Sequence, residues 1–283
     1  MFAGFLLALR EGIEAVLIVS IVLGMLKKMG RSDRAWLVWL GVGLAAVTSL
    51  AAAIGLNIIG AEFEGPGEMA FEAFTMLFAA AVLTWMIFWM QKQGRRTQLG
   101  LEADVRQALS GGQKAALFSV AFLAVLREGV ELALFLTAVN FSTSLVQGEA
   151  PIMGWLGGVL GLIAAIVIGW LMYESAIKLN LRRFFQFTSI ILVFFAAGLA
   201  GHAVHELNEL GWLPVVVGHV YDLSPILPET SPVGEFLKAL FGYTASPSLT
   251  EMLAYVAYFV VVLGLLRYVA RKPAKQSAAT EVS

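Results

Sequence analysis

The sequence predicts an all-α, polytopic membrane protein. Seven transmembrane helices form an inverted repeat of two three-helix units plus one extra helix, with the N-terminus outside and the C-terminus cytoplasmic. Three observations predict this. The 283 residues are 59% hydrophobic and only 14% charged, with a mean hydropathy of +0.82, whereas soluble domains run near a quarter charged. Seven apolar runs each approach the ~20 residues that a bilayer's hydrocarbon core demands of a helix. A charged motif in the first run returns in the fourth. The net charge of −1 leaves no basic footprint for nucleic acid, so none is expected as a partner. The absence of cysteine excludes disulfides, thiolate metal sites and cysteine redox chemistry.

In chain order the spans are Gly4–Leu26, Trp36–Ile59, Met69–Met90, Ala115–Phe141, Ile152–Tyr173, Phe184–Leu210 and Met252–Val269. The first lacks a basic leader segment and carries three charges in its middle, so it is read as a resident span rather than a cleaved signal. Orientation follows from the cations, which collect on the cytoplasmic side. Lys27, Lys28, Arg31 and Arg34 follow span 1, and Lys92, Arg95, Arg96, Arg106 and Lys114 follow span 3. Lys178, Arg182 and Arg183 follow span 5, and Arg267, Arg271, Lys272 and Lys275 close the chain. The opposite side holds only Lys238.

The regions that result are 1–91, a first three-helix unit; 92–114, a cytoplasmic connection with a short surface helix near Leu101–Leu109; and 115–210, the second, inverted unit. They continue as 211–250, a proline-rich extracytoplasmic loop; 251–270, the seventh helix; and 271–283, a polar cytoplasmic tail. Within the loop, Val233–Phe241 is amphipathic and is expected to lie on the membrane surface.

The repeat rests on three matches in order. Leu9-Arg10-Glu11-Gly12-Ile13-Glu14 returns as Leu126-Arg127-Glu128-Gly129-Val130-Glu131, a shift of 117. Trp39-Leu40-Gly41 returns as Trp155-Leu156-Gly157, and Phe78-Ala79-Ala80 as Phe195-Ala196-Ala197. Three spans per unit is an odd number, so the second copy enters the bilayer upside down. Many secondary transporters follow this plan, with the ion site near the midplane where the copies meet.

Six charges at mid-span cost too much to face lipid: at ~2.5–3.5 kcal/mol each, their sum exceeds a typical net folding stability. They must face the interior and neutralise one another or an ion. Glu11 and Glu14 share a helix face and Arg10 pairs along it with Glu14; Glu128, Glu131 and Arg127 repeat the arrangement. Gly12 and Gly129 are expected to let spans 1 and 4 approach each other. Four carboxylates and two guanidiniums sum to −2, which suits a multivalent cation, and oxygen donors favour hard or borderline metals such as iron or manganese. Glu11, Glu14, Glu128 and Glu131 are therefore the candidate metal ligands, with Arg10 and Arg127 in support. A salt-bridge clamp with no ion is the alternative, although it leaves two carboxylates in surplus.

A second group gathers near the outer face. Glu72 opens span 3 after Glu62, Glu64 and Glu68, while His202, His205, Glu206 and Glu209 fall on one side of span 6. Together they make a candidate outer vestibule that concentrates cations. His205-Glu206-Leu207-Asn208-Glu209 also resembles the H-E-x-x-H zinc signature with its second histidine replaced, which keeps an intramembrane metalloenzyme open as a different class. Met69, Met76, Met86 and Met90 are read as packing against lipid. Trp85, Trp89, Trp155 and Trp170 are read as ordinary membrane residues, several of them interfacial anchors.

Paired REGxE motifs in spans 1 and 4 of a seven-span chain resemble the oxidase-dependent iron transporter family, which includes bacterial EfeU-type iron permeases and fungal high-affinity iron permeases. The resemblance covers residues 1–270 and is nearest the bacterial type in size. It implies a permease, not an enzyme, that imports iron, as Fe2+ or Fe3+, across the cell inner membrane. It implies that the glutamates of both motifs carry the metal, which is substrate; no cofactor is expected. Some relatives are linked to lead, so another divalent metal such as lead or manganese stays open. The resemblance further implies periplasmic iron-delivery or iron-oxidising partners of the EfeO and EfeB kind. The Asp-Ala-Ser-Glu element of fungal loops is absent from residues 211–250, so coupling to a copper oxidase is not expected.

Overall fold

The computed structural model describes residues 1–93, 114–144, 152–174 and 181–271. The expected surface helix near Leu101–Leu109 and the polar tail lie outside these residues. The chain is all-helical, with no strand among the described residues. The helices are α1 (Phe2–Lys28), α2 (Ala35–Glu62), α3 (Pro66–Gln93), α4 (Lys114–Ser144), α5 (Ile152–Glu174), α6 (Leu181–Glu209), α7 (Pro232–Phe241) and α8 (Leu249–Arg271). Each apolar run of the sequence lies in one long helix, because a run of ~20 residues without breakers satisfies its backbone internally only as a helix. Five of them (α2, α3, α5, α6 and α8) are long and apolar enough to cross a membrane. The other two long helices, α1 and α4, are the ones that carry the REGxE charges.

Helices neighbouring in sequence are not the main packing partners. α1 lies along α5, α2 along α4, and α3 against α6, while α1 and α4 meet across the centre. The first two pairs run parallel and are held close by glycine. Gly41 of α2 sits against the backbone of Phe118 and Phe122 in α4, and Gly157 of α5 against that of Met1 and Phe5 in α1. The central seam buries Leu7, Ala8, Met76, Ala79, Leu83, Phe135 and Leu199. One side of α2 (Trp39, Val47, Ile54, Ile58) and of α5 (Val159, Ile163, Ile166, Trp170) stays exposed and apolar, as lipid contact demands.

The loop after α6 folds inward, which corrects the expectation that Val233–Phe241 rests on the membrane surface. α7 starts at a Ser231 cap whose hydroxyl accepts from the Gly234 amide at 3.0 Å. It then packs against α6 and the start of α1, with Phe236 on Phe2 (centroids 5.1 Å) and Phe241 on Phe194 (5.2 Å). It ends at Gly242, whose φ of +64° suits a residue without Cβ. A Cβ on Gly198, midway along α6, would lie 2.5 Å from the Gly242 Cα. Gly198 is about 16 Å below the α6 end at Glu209, at ~1.5 Å per residue. α7 therefore dips well below that end before the chain climbs back to α8. The dip works because Lys238, buried on α7, pairs with Glu229 at 3.1 Å, and because two glycines let the backbones touch.

Candidate metal centre

α1 and α4 bring the two motifs together. Glu11, Glu128 and Glu131 each offer a carboxylate oxygen, and all three oxygens lie within 4.8 Å of one another. Glu14, the fourth predicted ligand, stands outside this trio and pairs with Arg10 at 3.1 Å. The convergence follows from burial: Arg10 is 0% and Glu11 1% exposed, so neither has water as a partner. Arginine takes one oxygen of Glu11 (Arg10 Nη1 to Oε1, 2.6 Å) and one of Glu131 (Arg127 Nε to Oε1, 2.9 Å). The Oε2 atoms of Glu11, Glu128 and Glu131 are buried without a hydrogen-bond partner. Each such orphan costs on the order of 1–3 kcal/mol, more for a charged group, so a cation bound among them removes a real penalty. A cavity of about 270 Å³ between α1, α2, α4 and α5 reaches Glu11 and Glu128 past Ser49, Leu50 and Trp155.

The two arginines differ. Arg10 is sealed against α3, with Nη1 donating to the Met86 sulfur at 3.0 Å and Nη2 to the Met90 sulfur. Arg127 is 37% exposed, reaches Glu128 only at 3.9 Å, and stacks over the Trp89 ring, 4.5 Å from its centroid. Met86, Trp89 and Met90 thus hold both guanidiniums from one helix. This corrects the reading of the two methionines as lipid-packing and of Trp89 as an ordinary membrane residue. The usable signal was their spacing: positions 86 and 90 share a face on α3.

The motif glycines also differ from expectation. A Cβ on Gly12 would lie 2.6 Å from the Ala165 Cβ of α5, and one on Gly129 would strike Ser49 of α2. Each glycine therefore admits a flanking helix, whereas α1 and α4 approach through their charged side chains.

Four of the five predicted vestibule residues are linked as neighbours, His205 with Glu206 and Glu209 and Glu206 with Glu72. The buried His202 places Nδ1 2.9 Å from the Gly198 carbonyl. His205 sits between Glu251 of α8 (Nδ1 to Oε1, 3.0 Å) and Glu209 (Nε2 to Oε1, 3.3 Å). With both ring nitrogens engaged by carboxylates, His205 does not present the zinc-ligand geometry of a H-E-x-x-H site. Glu206 has His205 and Glu209 of its own helix and Glu68 of α3 as charged neighbours, and Glu72 has Glu206 and Glu68. Glu62, Glu64 and Glu68 are exposed. Sequence reasoning passed over Glu251, which also accepts from the Ser248 hydroxyl at 2.8 Å and anchors α8 to α6.

Fold and centre together define a multi-pass helical membrane protein whose interior holds an acid-rich, partly orphaned carboxylate cluster. Comparison with known proteins narrows the class. The chain matches the iron permease FTR1 family over residues 1–275, and it belongs to that family. It is 37% identical over 265 residues to the ferrous iron permease EfeU of Yersinia pestis, covering 93% of this chain and 92% of that one. It is 38% identical over 265 residues to the ferrous iron permease EfeU of Escherichia coli O6:K15:H31, covering 93% and 94%. An equally similar protein of E. coli K12 carries a name that marks it as inactive. No solved structure matches the chain.

Proposed function

We propose that this chain is a permease that imports iron through a midplane site built from Glu11, Glu128 and Glu131, with Glu14 as a fourth ligand within reach of Arg10. The observation that carries the reading is the convergence of two buried carboxylates and one half-buried one, each with an orphaned oxygen, in the interior of a chain whose family is defined by iron permeases. Oxygen donors suit iron in either oxidation state. Arg10 and Arg127 keep the acids apart and compensate them when no ion is present.

The reading includes seven spans, α1 to α6 and α8, in an inner membrane, with the N-terminus outside. Paired contacts support an inverted repeat. Gly41 meets Phe118 and Phe122 just as Gly157 meets Met1 and Phe5, and Gly129 meets Ser49 just as Gly12 meets Ala165. The partners differ by the shift of 116 or 117 found in the motifs. Because these contacts run between the units, the bodies that move are α1 with α5 and α2 with α4; rocking one repeat against the other would break the closest packing. Iron presented at the outer face by periplasmic delivery or oxidising proteins completes the pathway.

The test is iron uptake into proteoliposomes of the purified chain, comparing Fe2+ and Fe3+. Glu11→Gln and Glu131→Gln are expected to abolish uptake while the protein still inserts. Wild-type rates in either variant would overturn the site.

A further inference from the structure

Glu206 is a buried carboxylate for which the central site has no use. Its residue is 2% exposed, and its Oε1 is enclosed without a hydrogen-bond partner. The geometry of the α3–α6 seam shows what it faces. Ala203, one turn inward on α6, and Met76, one turn inward of Glu72 on α3, are both fully buried in the same apolar cluster. Glu206 and Glu72 therefore cap the outer end of one seam from opposite sides, and the electrostatic neighbours of Glu72 are Glu206 and Glu68. Among the described residues no Lys or Arg pairs with either acid. His205, the nearest cationic candidate, is already shared between Glu251 and Glu209.

Two acids on apolar packing, one of them with an enclosed, unpartnered oxygen, have no Lys or Arg to account for them. A salt bridge would have supplied a cation, and a solvated face would have left Glu206 in water. We infer that Glu72 and Glu206 form a second, outer cation site that receives a divalent metal ion before it reaches the central carboxylates. His205, beside Glu206, is held between Glu209 and Glu251, and His202 places Nδ1 on the Gly198 carbonyl, so the two carboxylates are the oxygen donors of the site. The repeat sharpens the point: the position equivalent to Glu206 in the first unit is Trp89, at a shift of 117. The inner side places an aromatic ring under Arg127 where the outer side places an acid, so the two ends of the route differ in their attraction for a cation.

The inference rests on the permease reading for its direction of travel, but its test separates the two. Purified full-length protein in detergent is titrated anaerobically with Fe2+, and the bound ions are counted. The wild type is expected to bind two. Glu72→Gln/Glu206→Gln should bind one, and Glu11→Gln/Glu128→Gln should also keep one. In proteoliposomes the outer double variant should raise the KM for Fe2+ uptake by at least about tenfold, the lower range for loss of groups supporting a metal, with the maximal rate kept. Glu206→Asp, which keeps the charge, should restore the second ion and so excludes misfolding as the cause. An outer double variant with wild-type stoichiometry and KM would overturn the outer site and leave the permease reading intact. Loss of all binding in the central variant would also overturn it as an independent site. Two bound ions with wild-type uptake in the central variant would instead sink the central reading alone.

Discussion

Arg10 and Arg127 occupy the same position in two copies of one motif, yet one is sealed and the other half open. Arg10 spends its Nη1 and Nη2 donors on Glu11, Glu14 and two methionine sulfurs, while its buried Nε goes without a partner. Arg127 bonds Glu131 and rests on an indole face. The difference arises in α3, whose Met86 and Met90 close over Arg10 while its Trp89 offers Arg127 only a ring face. A sequence repeat fixes the chemistry of a site twice over. The helix packed beside it decides how wet each copy is.

The largest way to break this comparison is to remove each arginine in turn. Arg10→Met strands Glu11 and Glu14 without a countercharge and is expected to cost about 3–5 kcal/mol, the usual penalty for breaking a buried pair. Arg127→Met, with water at hand, should cost about 1 kcal/mol or less. Thermal unfolding midpoints in detergent would report the gap, and equal losses would refute the contrast. The glycines should behave alike where the arginines do not. Gly12→Ala and Gly129→Ala meet Ala165 and Ser49 at similarly close range, so each should cost about 1–3 kcal/mol by overpacking. Ala165→Gly and Ser49→Gly are the matching rescues in the same assay. The smallest effect is at Trp89: Trp89→Leu should remove about 0.5 kcal/mol, the low end for a half-exposed cation–π pair, and only while Arg127 is present. A double-mutant cycle with Arg127→Met isolates that coupling.

The long helices were legible because each apolar run is free of breakers over its length, and the runs end where the helices end to within a few residues. The carboxylate trio was legible because a mid-span charge has nowhere to go except the interior. Met86 and Met90 were not: a methionine on an apolar helix reads the same whether it meets lipid or a guanidinium. The inward dip of α7 was hidden for a similar reason. Its depth is set by the contact of Gly242 with Gly198, 44 positions away, and amphipathicity alone does not distinguish a helix on a bilayer surface from one tucked against a neighbour. On the outer part of α6 the spacing showed which residues share a face, but not that His205 would be held by Glu251 of α8, a residue 46 positions away.

Interleaved packing also governs how the chain is made. α1 finds its closest partner in α5, which leaves the ribosome roughly 150 residues later, an interval on the order of ten seconds at typical synthesis rates. For that time a nascent helix bearing Arg10, Glu11 and Glu14 waits in or beside the translocon with its natural countersurface unmade. A chain stopped after α3 is left with a half-built groove and no means of closing it.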